Sequence, residues 1–298
     1  MEGAAPSAIN APAALRGILL MTAAMSLFTL MDSTAKYLSQ WYPVPGIVWA
    51  RYCINLAIIL GWFAARGELR RLRTSRPGIQ LARGVLLASA TFLYFTSLRV
   101  LPLADAAAIG FVLPLFVAAL AVPMLGERLD GARVIAILVG LAGALVIVRP
   151  GTDIFTPYAL LPVAMAACNA LYQVLTRMVA GEEHPLTSLA WGAIVGAVLL
   201  SLTAPAYWVA PKEPAHWALL LMIGLLASIG HYLLIRAYDY ASATLLAPYT
   251  YTAIVWAVLL GFLIFGQLPD GWSVAGMAVI VVSGMFLAAR QRLTVRRA

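Results

Sequence analysis

The chain has 298 residues, 63% of them hydrophobic and 11% charged, with mean hydropathy +0.91 and a formal net charge of +8. Too few polar residues remain to cover a soluble surface, which excludes a water-soluble globular domain. The surplus positive charge does not point to nucleic acid either, because its arginines sit in a loop without the aromatic side chains that stack on bases.

In chain order, residues 1–14 are rich in Ala and Pro and read as a short disordered tail. The first apolar span, Leu15 to Gln40, is too long for a signal peptide and carries Asp32 and Lys36. Spans follow from Val44 to Ala65, Ile79 to Leu98, Leu103 to Leu125 and Ala132 to Val148. Five more run from Tyr158 to Val179, Leu186 to Val209, Trp217 to Arg236, Ala243 to Phe265 and Trp272 to Ala289. Each is of a length to cross about 30 Å of hydrocarbon as a helix, and none has the short alternating pattern of a barrel strand.

The two sets of five repeat one another at an offset of about 140 residues. Leu86-Leu87-Ala88-Ser89 returns as Leu225-Leu226-Ala227-Ser228, and Lys36, Pro43 and Trp49 are echoed by Arg177, Pro185 and Trp191. Gly126, Asp130 and Gly131 are echoed by Gly266, Asp270 and Gly271. Because five is odd, the second copy enters the membrane from the opposite side. The expectation is an all-α integral membrane protein of ten transmembrane helices in two inverted five-helix repeats, 15–150 and 151–290, followed by a basic tail, 291–298. Inverted repeats are the architecture of alternating-access transporters, with a site near mid-membrane.

Charge orients the bundle. Arg66, Arg70, Arg71, Arg73 and Arg76 fill one loop, Arg128 and Arg133 another, and Arg290, Arg292, Arg296 and Arg297 follow the last span. The opposite loops hold little beyond Arg99, Arg149 and Lys212. The asymmetry predicts cytoplasmic termini. Trp41, Tyr42, Tyr158, Tyr207, Trp208, Trp217 and Trp272 stand at span ends and read as interfacial anchors. Cys53 and Cys168 lie inside spans, without metal-ligand spacing, and read as buried thiols. Small residues mark the fifth helix (Gly140, Gly143, Ala144) and the tenth (Gly276, Ser283, Gly284). They let backbones approach closely, either closing the bundle or joining a homodimer through helices 5 and 10.

The sharpest chemistry is Asp32, Lys36 and Arg51. The first two are four apart and share a helix face. At about 1.5 Å per residue, Asp32 lies roughly 6 Å and Lys36 roughly 12 Å beyond the middle of the first span, and Arg51 roughly 10 Å inside the second. Charges at such depth need partners or water. The cluster reads as a structural brace, a contact for a charged substrate group or a proton site. It belongs to one repeat only, since Gln173 and Ala193 stand near the positions equivalent to Asp32 and Arg51.

His231 is a second candidate proton carrier or hydrogen-bonding core residue. Asn169, Tyr172 and Gln173 add amides and a hydroxyl at helical spacing, and Tyr94, Tyr249, Tyr251 and Trp256 add aromatic surface. Together they suit a small polar or zwitterionic solute, the alternative being packing against neighbouring helices. Pro114 and Pro248 both fall in the fourth helix of their repeat and predict paired gating kinks. Pro162 lies near a helix start.

These residues resemble the drug/metabolite transporter superfamily, specifically its EamA-type ten-helix members. The resemblance rests on the two five-helix copies, on Met31-Asp32-Ser33-Thr34-Ala35-Lys36-Tyr37 and on Val48-Trp49-Ala50-Arg51-Tyr52. It also rests on Pro114-Leu115-Phe116, Leu125-Gly126-Glu127-Arg128 and Phe265-Gly266-Gln267, and runs from about Gly17 to Arg290. Gln267 departs from the glutamate usual at that place. The resemblance implies a bacterial inner-membrane permease with a cavity lined by helices 1, 3, 4, 6, 8 and 9. It implies export of small metabolites, often amino acids, although related branches move riboflavin, nucleotide precursors or quaternary amines.

The expected activity is a secondary transporter that exports small polar metabolites such as amino acids, with a facilitator or importer of another metabolite as the alternative. A third reading is a membrane protein without flux. No P-loop, H-E-x-x-H or G-x-S-x-G occurs, so direct ATP use and catalysis are not expected, nor is a cofactor. The partners expected are a small-molecule substrate and the lipid bilayer.

Overall fold

The computed structural model describes residues 11–126, 131–151, 155–179, 183–241 and 243–295. Glu127, Arg128 and Asp130, Arg296 and Arg297, and the first ten residues of the expected tail lie outside the described residues. The first repeat comprises α1 (Ala11–Leu38), α2 (Val44–Ala65), α3 (Pro77–Leu98), α4 (Leu103–Gly110), α5 (Leu113–Leu125) and α6 (Gly131–Val148). The second comprises α7 (Leu160–Met178), α8 (Pro185–Ser201), a short turn α9 (Ala204–Tyr207), α10 (Pro214–Tyr240), α11 (Ala243–Thr250), α12 (Thr252–Phe265) and α13 (Gly271–Val295). Among the described residues, seven spans are long and apolar enough to cross a membrane, and shorter apolar helices at Val134–Val148, Pro185–Ser201 and Gly271–Phe286 complete ten.

Three sequence expectations are corrected here. The helix begins at Ala11, inside the stretch read as tail, because Ala-Pro-Ala-Ala accepts proline in its first turn and then propagates. The seventh span is a helix only to Ser201, after which Leu202, Thr203 and α9 form turns. The fourth span of each repeat is a broken helix. In the first repeat the break falls at Phe111 and Val112, so Pro114 is the second residue of a new helix rather than a kink within one, at a position where its missing N–H costs nothing. In the second repeat Pro248 lies inside α11 and the break follows at Tyr251. Irregular backbone at this depth is tolerated where protein surrounds it. Here the two breaks protect one another: Phe111 and Tyr251, exactly one repeat offset apart in register, stack with ring centroids 4.8 Å apart.

Repeat symmetry also shows in the helix ends. Gly126 closes α5 and Gly266 closes α12, both left-handed at φ +69° and +65°, which glycine adopts without a Cβ penalty. Helices α6 and α13 pack tightly against one another. A Cβ added to Gly143 would meet the Gly276 carbonyl at 3.0 Å, and the Ser283 hydroxyl donates to the Ala136 carbonyl at 2.5 Å. The small residues of these two helices are thus used within one chain, closing the bundle.

Hydrogen bonds fasten the repeats at both faces. On the arginine-rich face, Glu183 accepts from the Thr74 hydroxyl (2.7 Å) and from the backbone N–H and hydroxyl of Ser75 (2.8 Å each). On the far face Arg149, left-handed at φ 49° after α6, pairs with Asp270 at 2.5 Å. The expected anchors there also pack together: Trp208 lies 5.1 Å from Trp49 and 6.0 Å from Trp217 between ring centroids, and Tyr42 bonds to His216 at 2.7 Å.

Candidate functional site

Helices α1, α10, α2 and α3 pack in that order as a closed ring, leaving α1 and α2 diagonal to one another. Into this ring α1 contributes Asp32, α2 Arg51, α3 Tyr94 and α10 His231. Arg51 acts electrostatically on both Asp32 and His231, and Asp32 acts on Tyr94, so the four form one group.

The group is poorly satisfied internally. Asp32 is only half-buried, and it makes neither a hydrogen bond nor an ion pair with any described residue. Arg51 is buried, donates to the Thr91 hydroxyl at 3.3 Å, lies 4.8 Å from the centre of the Tyr52 ring and leaves its Nε without a partner among the described residues. Asn55, one turn further along α2, is also buried with an unpartnered carbonyl oxygen. His231 Nδ1 is 2.7 Å from the Ala227 carbonyl and so carries the ring proton, which leaves Nε2 as an acceptor. Its ring stands edge-on to Phe28 at 4.9 Å. A carboxylate, a guanidinium, an amide and an imidazole therefore share one ring of helices with bonding capacity left over.

The brace is not what the geometry shows, because neither Lys36 nor Arg51 closes an ion pair with Asp32. Lys36 turns away: its Nζ donates to the carbonyls of Leu98 (2.7 Å) and Leu101 (2.5 Å) and lies 5.4 Å from the Phe265 ring centre. The Leu98 carbonyl is among the acceptors left open at the C-terminus of α3, where a cation is favoured. Lys36 thus caps the end of α3 and stands apart from the group around Asp32.

The remaining expected residues divide. Tyr172 is taken by a buried cation, Arg83, whose guanidinium donates to the Thr176 hydroxyl (2.9 Å), Gln80 (2.5 Å) and Tyr172 (3.4 Å), while Gln80 donates to Ser188 (3.1 Å). This network joins α3 to α7 and α8. Tyr249 packs against a small apolar cluster around Met21 and Leu246. Asn169 and Gln173 stand one turn apart on one face of α7, half-buried and without a hydrogen bond to described residues. Trp256 is half-buried on α12, which packs against α1 and α4.

Comparison with known proteins identifies the architecture. The EamA-like transporter family matches the chain twice, at residues 15–149 and 156–289. The chain belongs to this family. Its relatives include an S-adenosylmethionine uptake transporter of Rickettsia prowazekii, 28% identical over 92% of each chain. A riboflavin transporter of Vibrio cholerae is 29% identical over 92% of this chain and 93% of its own. A pseudopaline exporter of Pseudomonas aeruginosa is 31% identical over 91% and 95%. A solved crystal structure shares the fold at TM-score 0.64 and 24% identity, covering 94% of this chain and 99% of its own. This EamA-family chain is accordingly a multi-pass membrane transporter of the drug/metabolite superfamily and not an enzyme.

Several residues of this transporter escaped the sequence reading. Arg83 lies six residues inside α3, where the rule that singled out Asp32 applies equally. Asn55 follows Arg51 at helical spacing and was legible on the same grounds. Thr91, which receives both Arg51 and the Tyr52 hydroxyl (3.1 Å), left no signal in the sequence, because a threonine in an apolar helix usually bonds its own backbone.

Proposed function

We propose that this transporter exports small zwitterionic metabolites of amino-acid type across the bacterial inner membrane, by alternating access at the cleft around Asp32, Arg51, Tyr94 and His231. The observation that carries the reading is an acid and a base held within electrostatic reach yet without an ion pair. A solute bearing both charges supplies what each lacks: its carboxylate meets Arg51, and its ammonium meets Asp32 and the acceptors left free on Asn55 Oδ1 and His231 Nε2. Asn169 and Gln173 offer neutral polar groups to the rest of the solute, and Tyr94 and Trp256 an aromatic wall. Pro114 and Pro248 mark the helices that bend, and the repeats 15–150 and 151–290 are the halves that rock. The positive-inside pattern supports cytoplasmic termini for this arrangement.

Uptake of a ring-bearing metabolite is the second reading, favoured by Phe28 and Tyr94 beside the same group and by relatives named as uptake and riboflavin transporters. Purified protein in liposomes separates the two. Efflux and influx of labelled amino acids and of riboflavin are measured at both gradient directions, with Asp32→Asn as control. Amino-acid flux that survives Asp32→Asn unchanged defeats the proposal. Riboflavin flux alone establishes the second reading.

A further inference from the structure

A groove of about 570 Å³ lies between α2, α8 and α10, and none of Asp32, Arg51, Tyr94 or His231 lines it. Its walls are apolar: Ile58, Ile59 and Phe63 from α2, Leu189 from α8, Leu225 and Ile229 from α10. Trp62 and Tyr232 are 45% and 46% exposed at its edge, so the groove opens sideways to the hydrocarbon rather than into the bundle. At its end on the arginine-rich face stand Arg66, Arg71, Arg236 and His184.

We propose that this groove binds an anionic phospholipid, with an acyl chain along the apolar walls and the phosphate among the rim cations. Two observations on the rim call for an anion. Glu68 and Asp239 are already engaged by Arg71 (3.1 Å) and Arg236 (2.8 Å), while Arg66 lies over the Trp62 ring at 4.2 Å and has no carboxylate partner among the described residues. Arg71 Nη1 also approaches His184 Nε2 to 2.7 Å, although His184 Nδ1 accepts the Leu186 N–H at 3.2 Å. A neutral imidazole has a single acceptor nitrogen, so one donor at this spot is surplus and an external oxygen would take it. Outside the groove the same loop adds Arg70 and Arg73, both exposed. Basic pockets between helices at the cytoplasmic face are suited to anionic headgroups, and the apolar channel beneath selects a lipid over a free anion.

Trp62 provides the probe. Purified transporter is titrated with phosphatidylglycerol or phosphatidylcholine carrying brominated chains, and the quenching attributable to Trp62 is taken as wild type minus Trp62→Phe. Phosphatidylglycerol should quench with about fivefold higher apparent affinity than phosphatidylcholine, the preference one arginine near a lipid surface supplies, and Arg66→Gln should remove it. Equal quenching by the two lipids overturns the proposal, as does a preference that survives Arg66→Gln. Inorganic phosphate that raises the melting temperature as much as phosphatidylglycerol would make this a free-anion site and also overturn it. The comparison of the two lipids does not use Arg66→Gln, so misfolding of that variant leaves it decisive.

Discussion

Arg51 and Arg83 are both arginines buried at membrane depth, and the chain treats them in opposite ways. Arg83 spreads its guanidinium over Thr176, Gln80 and Tyr172, tying α3 to α7 across the boundary between the repeats. Arg51 has one long bond to Thr91 and an idle Nε, with Asp32 near but unpaired. Burying a charge is costly in either setting, so the difference lies in what completes it. Arg83 is completed by the protein, which makes it a fastening. Arg51 is left for something from outside, and its neighbours Asp32, Asn55 and His231 share that incompleteness.

Substitutions can break this contrast. The largest expected effect is on flux: Asp32→Asn should lower transport about 10- to 100-fold, the loss of one charge-assisted contact to the solute, with an unchanged melting temperature because no internal bond is lost. The charge exchange Asp32→Arg with Arg51→Asp should restore nothing; recovery of flux would establish a direct pair and the brace. Arg83→Ala should do the reverse, destabilising the fold by about 2–4 kcal/mol through stranded hydroxyl and amide partners while leaving the apparent KM of the remaining folded protein unchanged. Lys36→Met should cost less, about 1.5–3 kcal/mol, since the α3 carbonyls lose one cation; a changed substrate affinity in this variant would return Lys36 to the cleft.

The smallest effect concerns the fastening on the arginine-rich face. Desolvation pushes the Glu183 carboxyl upward, but hydrogen bonds from Thr74, Ser75 and the Arg76 backbone outweigh it and hold the group below its ordinary value of 4.5. A depressed carboxylate contributes stability above its unfolded value and loses it as pH falls through the folded one. Between about pH 6 and pH 3.5 wild type should therefore lose more melting temperature than Glu183→Gln. Parallel curves would show that the contact carries no stability.

The fold was legible because membrane helices declare themselves by length and apolarity, and Val44–Ala65 matches its expected bounds to the residue. Breaks inside the fourth helices were legible only as prolines: the sequence marks where an N–H is missing, not on which side the chain will bend. Of the expected site, Asp32, Arg51, Tyr94 and His231 converge, whereas Lys36 does not. Its spacing from Asp32 was read correctly, but the deciding partner was the end of α3, more than sixty residues away. Charge patterns foretell that a buried ion needs company; they do not foretell whose.

The stacked rings of Phe111 and Tyr251 carry one more consequence. They are counterparts, so exchanging the shapes of the two halves, as alternating access in an inverted duplication does, carries this contact onto itself. Under the proposed exchange of shapes, Phe111 and Tyr251 remain each other's neighbours. It can act as a pivot whose energy cancels between the two states, leaving the solute and the closures at either face to set their balance.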